Sequence, residues 1–205
     1  MNLLKSRFFK ILSVILASIF ITSVFMGAVK KEEIESGISS KVLRLHVRAK
    51  SNSADDQSLK LKVRDNVLAV SEEILADCQS KEESMEKIKE NLGTIKTAAQ
   101  QTVYENGKKD EVKVYLRDEI FPVRKYGNFV FPAGKYTAVA VEIGGGKGKN
   151  WWCVMYPHIC FIDETIEGED KEIKHIFSDE EYNLITGGKK PSVAFKTVEI
   201  IEDLF

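Results

Sequence analysis

VLRLHVRA (residues 42–49), followed after three residues by SADDQSLKLKVRDNVLAVSEEILA (residues 53–76), reads as a strand handed directly to a helix. In the first stretch Leu43, Leu45, Val47 and Ala49 alternate with Arg44, His46 and Arg48, the period of two required of a strand with one buried face. The polar side of that strand is unusually cationic. In the second stretch the period lengthens: Leu59, Val63, Val67, Val70 and Ile74 make one helical stripe, and Leu61, Leu68 and Leu75 recur on nearly the opposite side. Ser53 supplies an N-cap, and Asp55 and Asp56 an acidic first turn. A helix apolar on two sides is predicted to pack between a sheet and another helix.

Working downstream, Ser80-Lys81-Glu82-Glu83 matches a capping box and opens a second helix. Its stripe is Met85, Ile88, Leu92, Ile95 and Ala99, it ends near Asn106-Gly107, and Gly93 inside it costs about 1 kcal/mol relative to alanine. From Glu111 the period returns to two. Val112, Val114 and Leu116 predict one strand, Thr137, Val139, Val141 and Ile143 another, and Trp151 to Met155 a third, with turn signals at Tyr126-Gly127-Asn128 and Pro132-Ala133-Gly134. The order implies an α+β domain over residues 41–165, a mainly antiparallel sheet with two long helices packed on one face. After Asp163 the chain turns acidic and polar. Ser178-Asp179-Glu180-Glu181 caps a short helix that Gly187-Gly188 ends, and Ser192 to Phe205 has no decisive period. Residues 166–205 thus read as a polar C-terminal appendage with short helices.

Upstream, Lys5, Arg7 and Lys10 precede an uncharged apolar run from Ile11 to Val29, the layout of a secretory signal or a membrane anchor helix over residues 1–29. Small residues at Met26-Gly27-Ala28 suit processing, and the run is also long enough to span a bilayer, so both outcomes stand. Residues 30–40 are charged and small without an apolar period and read as a linker. The domain is therefore expected outside the membrane, secreted or anchored. Net charge is −1 for the whole chain and near −4 once the three basic leader residues are set aside, which argues against a nucleic-acid partner.

Tests for chemistry come out mainly negative. Gly144-Gly145-Gly146-Lys147-Gly148-Lys149-Asn150 lacks the spacing of a P-loop and leads into a strand, so a flexible hairpin loop is the expectation. His46, His158 and His175 lie far apart and share no zinc-ligand spacing. No catalytic constellation, metal site or cofactor is expected. Cys153 and Cys160 fall opposite each other if Met155 to His158 turn a hairpin, so they form either a disulfide or two buried thiols. Consecutive Trp151 and Trp152 must point to opposite faces. Together with Arg44, His46, Arg48, Arg124, Tyr126 and Asn150 they are the candidates for partner binding, being residue types favoured at interface hot spots. Each taken singly is equally well a solvated or packed side chain. Two rival readings stand beside a binding protein: an exported hydrolase using Cys153 or Cys160 with His46 or His158, and a membrane-anchored envelope scaffold.

Several separated segments share one resemblance. Arg44-Leu45-His46-Val47, Asp56-Gln57 with Leu59-Lys60-Leu61-Lys62-Val63-Arg64-Asp65, Phe121-Pro122 with Arg124 and Tyr126-Gly127, Pro132-Ala133-Gly134-Lys135-Tyr136, and Gly146 through Val154 together resemble the stage II sporulation protein R family, over residues 43–163. The resemblance implies a signalling protein made in the forespore of an endospore-forming bacterium and exported into the space between forespore and mother-cell membranes. Its implied partner is a membrane-embedded aspartic protease of the mother cell, which then processes a sigma-factor precursor. It implies no catalytic residues. The chain departs from the family pattern at Ala49-Lys50-Ser51-Asn52, where Ala-Asn-Ser-Asp is expected, which alters the charge of any contact that loop makes.

Overall fold

The computed structural model describes residues 2–161 and 169–187 of the chain. Helix α1 (Asn2–Lys41) leads into strand β1 (Leu43–Arg48), and helices α2 (Ala54–Leu75), α3 (Lys81–Glu90) and α4 (Leu92–Glu105) follow. Then come β2 (Val112–Phe121), a hairpin of β3 (Arg124–Tyr126) and β4 (Phe129–Phe131), β5 (Gly134–Ile143) and β6 (Asn150–Tyr156). A 3-10 turn (Ile159–Phe161) and short helices α5 (Glu169–Ile176) and α6 (Asp179–Ile185) complete it. Four strands form one sheet in the order β2-β5-β1-β6, with β1 parallel to β5 and the remaining pairs antiparallel. This is the mixed, mainly antiparallel architecture expected, with an apolar N-terminal helix before it. Residues 162–168 and 188–205 lie outside the described residues, so of the appendage expected over residues 166–205 only 169–187 is described and the segment from Ser192 to Phe205 is not.

Alternation in the strands builds the first core. Leu43, Leu45 and Val47 of β1 sit beside Val139, Val141 and Ile143 of β5 and are covered by Val63 and Val67 of α2 and Ile95 and Ala99 of α4, all buried. Ser53 and Ser80 accept from Asp56 and Glu83 backbone N–H groups, as N-caps should. Two details differ from expectation. Leu61 of the second α2 line is 40% exposed, because only the side facing α4 and the sheet is covered. The expected single second helix is broken at Asn91, which leaves the helical region at φ −105° and ψ 11° and whose side-chain amide donates to the Lys87 carbonyl at 2.8 Å, a local bond typical of asparagine at helix ends.

The far side of the sheet carries a second core, and here the chain departs most from its expected layout. Residues 30–40, read as a linker, are the last turns of α1. Ile34, Ile38 and then Val42 recur every four residues and are buried with Phe121, Phe131 and Tyr136, so the apolar period was present but short and diluted by charge. Helix α6 clamps this segment: Lys41 pairs with Glu181 at 2.5 Å and Lys30 with Glu180 at 2.6 Å. Ser178 and Glu181 form the expected capping box.

The glycine stretch is not a hairpin loop either. β5 and β6 lie on opposite sides of β1, so the segment crosses over the end of β1. It is wedged there: Gly148 N–H donates to the Ala49 carbonyl at 2.7 Å, and a Cβ on Gly148 would strike the Ser51 carbonyl. Cys153 and Cys160 are joined in a disulfide with Cα atoms 5.7 Å apart. Cys160 lies in the 3-10 turn rather than on a returning strand, and a cis Tyr156–Pro157 peptide marks the bend between them. Cys78 is a buried free thiol.

Candidate partner-binding face

β1 turns Arg44, His46 and Arg48 to the side of the sheet away from α2–α4, and the register sets their neighbours. Ala138, Ala140 and Glu142 of β5 lie on one flank, and Val154, Trp152 and Asn150 of β6 on the other. One strand further out, Tyr115 faces Ala140 and Arg117 faces Ala138. The small alanines leave room for the long side chains from both flanks to meet over β5.

Three environments follow along this face. At the end nearest α1, Arg44 is 0% exposed and lies in a box of aromatic rings. Its Cζ is 4.2 Å from the centroid of Phe121 and 4.7 Å from that of Tyr136, with Phe131 and Tyr126 at 5.8 and 5.9 Å. It donates to the Tyr126 hydroxyl at 2.8 Å, while its Nε and Nη1 find no hydrogen-bond partner among the described residues. Burial lowers the Arg44 pKa from the ordinary arginine value, with Tyr126 and Tyr136 opposing. Burial pushes Tyr136 up to about 12. The ring faces thus supply the compensation that a carboxylate would otherwise give.

In the middle, His46 is also 0% exposed, tilted against Trp152 with ring centroids 5.3 Å apart. Its Nε2 lies 3.0 Å from Glu119 Oε2, but neither ring nitrogen is aligned for a hydrogen bond. Burial first, and then Arg48 and Arg117, lower its pKa to about 4. The imidazole is accordingly neutral at pH 7.

At the open end the groups reach solvent. Arg48 donates from Nε to Asn150 Oδ1 at 2.8 Å and lies 3.3 Å from Glu142. Arg117 reaches the same Glu142 oxygen at 3.3 Å, pairs with Glu119, and stacks on Tyr115 with Cζ 4.4 Å from the ring centroid. Burial raises the Glu142 pKa, but Tyr115, Arg117 and Arg48 outweigh it, so the net shift is downward. Burial and then the hydrogen bond to Glu142 push Tyr115 up to about 12. Arg124, from β3, lies over Trp152 with Cζ 5.7 Å from its ring.

The structure therefore gathers seven of the eight sequence candidates on one face and separates the eighth. Trp151 points to the helix side, packed against the first core under Arg64, whose Cζ is 5.0 Å from its ring. It also corrects the expectation for Arg44 and His46. Both are buried rather than presented to a partner, Arg44 among Phe121, Tyr126, Phe131 and Tyr136 and His46 against Trp152 and Phe121, and they act as the floor of the accessible strip. Sequence reasoning missed Tyr115, Arg117, Glu119 and Glu142. The alternation of β2, extended past Leu116 to Phe121, would have placed the first three together. Among the described residues no three His, Cys, Asp or Glu side chains gather as a metal site. The disulfide leaves neither Cys153 nor Cys160 with the thiol that the hydrolase reading needs.

A family profile described as "Stage II sporulation protein R (spore_II_R)" matches residues 39–166. The chain is also similar to a protein named Stage II sporulation protein R in Bacillus subtilis (strain 168), 36% identical over 168 residues, which cover 75% of this chain and 74% of that protein. No solved structure matches the chain.

Proposed function

The chain belongs to the stage II sporulation protein R family, and from that premise we propose that it is an exported, non-enzymatic signal of endospore formation. In this reading it leaves the forespore through its apolar N-terminal helix and reaches the space between forespore and mother-cell membranes. There it activates a membrane-embedded aspartic protease of the mother cell, which then processes a sigma-factor precursor. A ligand of this kind works only by binding the active state of its receptor more tightly than the inactive one, and shifting that balance fully takes about 5.5 kcal/mol of difference. Three hot-spot side chains worth roughly 2 kcal/mol each supply it.

The observation that carries this reading is the open strip of Arg48, Arg117, Arg124, Asn150 and Trp152, charged and aromatic groups fixed on a sheet above buried Arg44 and His46. The test is co-expression of the full chain with the protease and the sigma-factor precursor in a bacterium that does not sporulate. Precursor cleavage that requires export of the chain is expected, and Arg117→Ala with Arg124→Ala should reduce it at least about tenfold, as loss of roughly 1.4 kcal/mol or more of binding predicts. Cleavage that does not depend on the chain, or its absence beside a folded and exported chain, overturns the proposal.

A further inference from the structure

We propose that two copies of this chain pair antiparallel through β2, joining their four-stranded sheets into one continuous sheet about a two-fold axis at Leu116. β2 is a ten-residue strand at the edge of the sheet, and no strand among the described residues covers its outer side. Such an edge is a template for pairing. On it stands the most exposed large apolar side chain outside α1 among the described residues, Ile120 at 80%, with Val123 at 55%.

The backbone fixes which residues can pair. Gly144 N–H donates to the Glu111 carbonyl at 2.9 Å, so Glu111 faces β5 and the next residue faces outward. Val112 N–H does so, and is held by Gln100 Oε1 at 2.8 Å. By alternation Val114, Leu116, Asp118 and Ile120 also direct their amide and carbonyl groups outward. A second β2 must therefore set even-numbered residues against even-numbered ones.

Four two-fold registers satisfy this and keep at least seven of the ten residues of the strand paired. An axis at Tyr115 puts Lys113 opposite Arg117, an axis at Arg117 puts the two Arg117 side chains face to face, and an axis at Asp118 does the same with the two Asp118 side chains. All three set like charges together, which is unfavourable. With the axis at Leu116, Lys113 faces Glu119 of the second copy and Tyr115 faces Arg117. On the other side Val112 faces Ile120, Leu116 faces Leu116, and Asp118, opposite Val114, keeps Lys135 at 3.1 Å. Charged residues ordinarily protect a sheet edge from pairing. Here their order is self-complementary in one register, and that register covers Ile120. The interface is isologous, so the assembly closes at two copies and presents the strip of Arg48, Arg117 and Arg124 twice.

The experiment is oxidative cross-linking of the exported full chain carrying Leu116→Cys, since facing hydrogen-bonded residues bring Cα atoms within disulfide reach. A reducible dimer is expected. It should be lost on adding Lys113→Glu, regained on combining Lys113→Glu with Glu119→Lys, and lost again with Ile120→Lys, a change at a side chain that supports nothing inside the fold. Lys125→Cys, exposed and off the strand, should give no dimer. Absence of the dimer from a chain that retains its protease-resistant domain overturns the proposal, as does a dimer indifferent to Lys113→Glu and Ile120→Lys. A monomer that still triggers precursor cleavage would remove this inference and leave the proposed function standing.

Discussion

Arg44 holds its charge in the interior with no carboxylate paired to it among the described residues, so its neighbours predict how it responds to replacement. Four ring faces and one hydroxyl stabilise the guanidinium, but desolvation opposes it, and a hydrophobic side chain of similar volume often does as well in such a place. Arg44→Met should therefore shift stability by less than about 1.5 kcal/mol, whereas Arg44→Glu, which sets an anion against negative ring faces, should cost more than about 3 kcal/mol. Urea unfolding of both variants checks this, and equal losses would show that the cage does not discriminate charge. His46 carries a second prediction. Its pKa falls from 6.5 unfolded to about 4 folded, so between those values the unfolded chain binds a proton that the folded chain refuses. Stability from this group is full above 6.5 and is lost as pH falls towards 4. The groups that face it are Glu119, Arg117, Arg48 and Glu142. The expected decline from pH 7 to pH 5 is about 2 kcal/mol, and His46→Gln should flatten the profile over that window. A profile unchanged by the substitution would mean that another group governs it. The alternation of β1 was enough to place Arg44, His46 and Arg48 on one face. Which of them would be buried was not legible, because the groups around them come from far along the chain: Phe121, Tyr126, Phe131 and Tyr136 around Arg44, and Phe121 and Trp152 beside His46.

Among the elements, the β5–β6 connection shows how a local reading and a topological one part. The residues after Ile143 signal a turn, and their failure as a phosphate loop follows from the strand behind them. Their role depends on β1 lying between β5 and β6, which no local pattern reveals. The consequence is steric. Gly145, at φ +88° with open space around it, needs glycine only for its backbone, so Gly145→Ala should cost about 1 kcal/mol. Gly148 has the Ser51 and Ala49 carbonyls against it, the latter 2.9 Å from an ideal Cβ, and Gly148→Ala should cost more than about 2 kcal/mol by prying the loop from β1. Thermal unfolding of the two variants measures the difference, and equal midpoints would mean that the loop swings free. The same comparison applies to α3 and α4. Their shared stripe from Met85 to Ala99 was legible, but the break is a departure of one residue, Asn91 at φ −105° and ψ 11°, and it leaves that periodicity intact.

For the whole molecule, the junction between leader and domain decides most, because α1 belongs to both. Val29 ends the apolar run and Ile34 is the first buried residue of the domain, a separation of five residues or about 7.5 Å along a helix. If the helix stays in the bilayer, the domain stands against the membrane without a flexible tether. If it is processed near Gly27-Ala28, the segment that completes the second core survives. Burial of Ile34, Ile38 and Val42 contributes roughly 1.5–3 kcal/mol each, together comparable with the 5–15 kcal/mol that holds a typical domain folded. Their loss would also remove Lys41, the partner of Glu181 at 2.5 Å, and bare Phe121 and Tyr136. A chain beginning at Lys30 should therefore unfold cooperatively in urea like the full domain, whereas one beginning at Leu43 should show no cooperative transition. With Trp151 replaced by phenylalanine, the fluorescence of Trp152, which packs on Phe121 with ring centroids 4.6 Å apart, reports the second core directly. If both truncated chains melt at the same urea concentration, residues 30–42 are only the tether that their composition suggests, and the domain's orientation to the membrane is free.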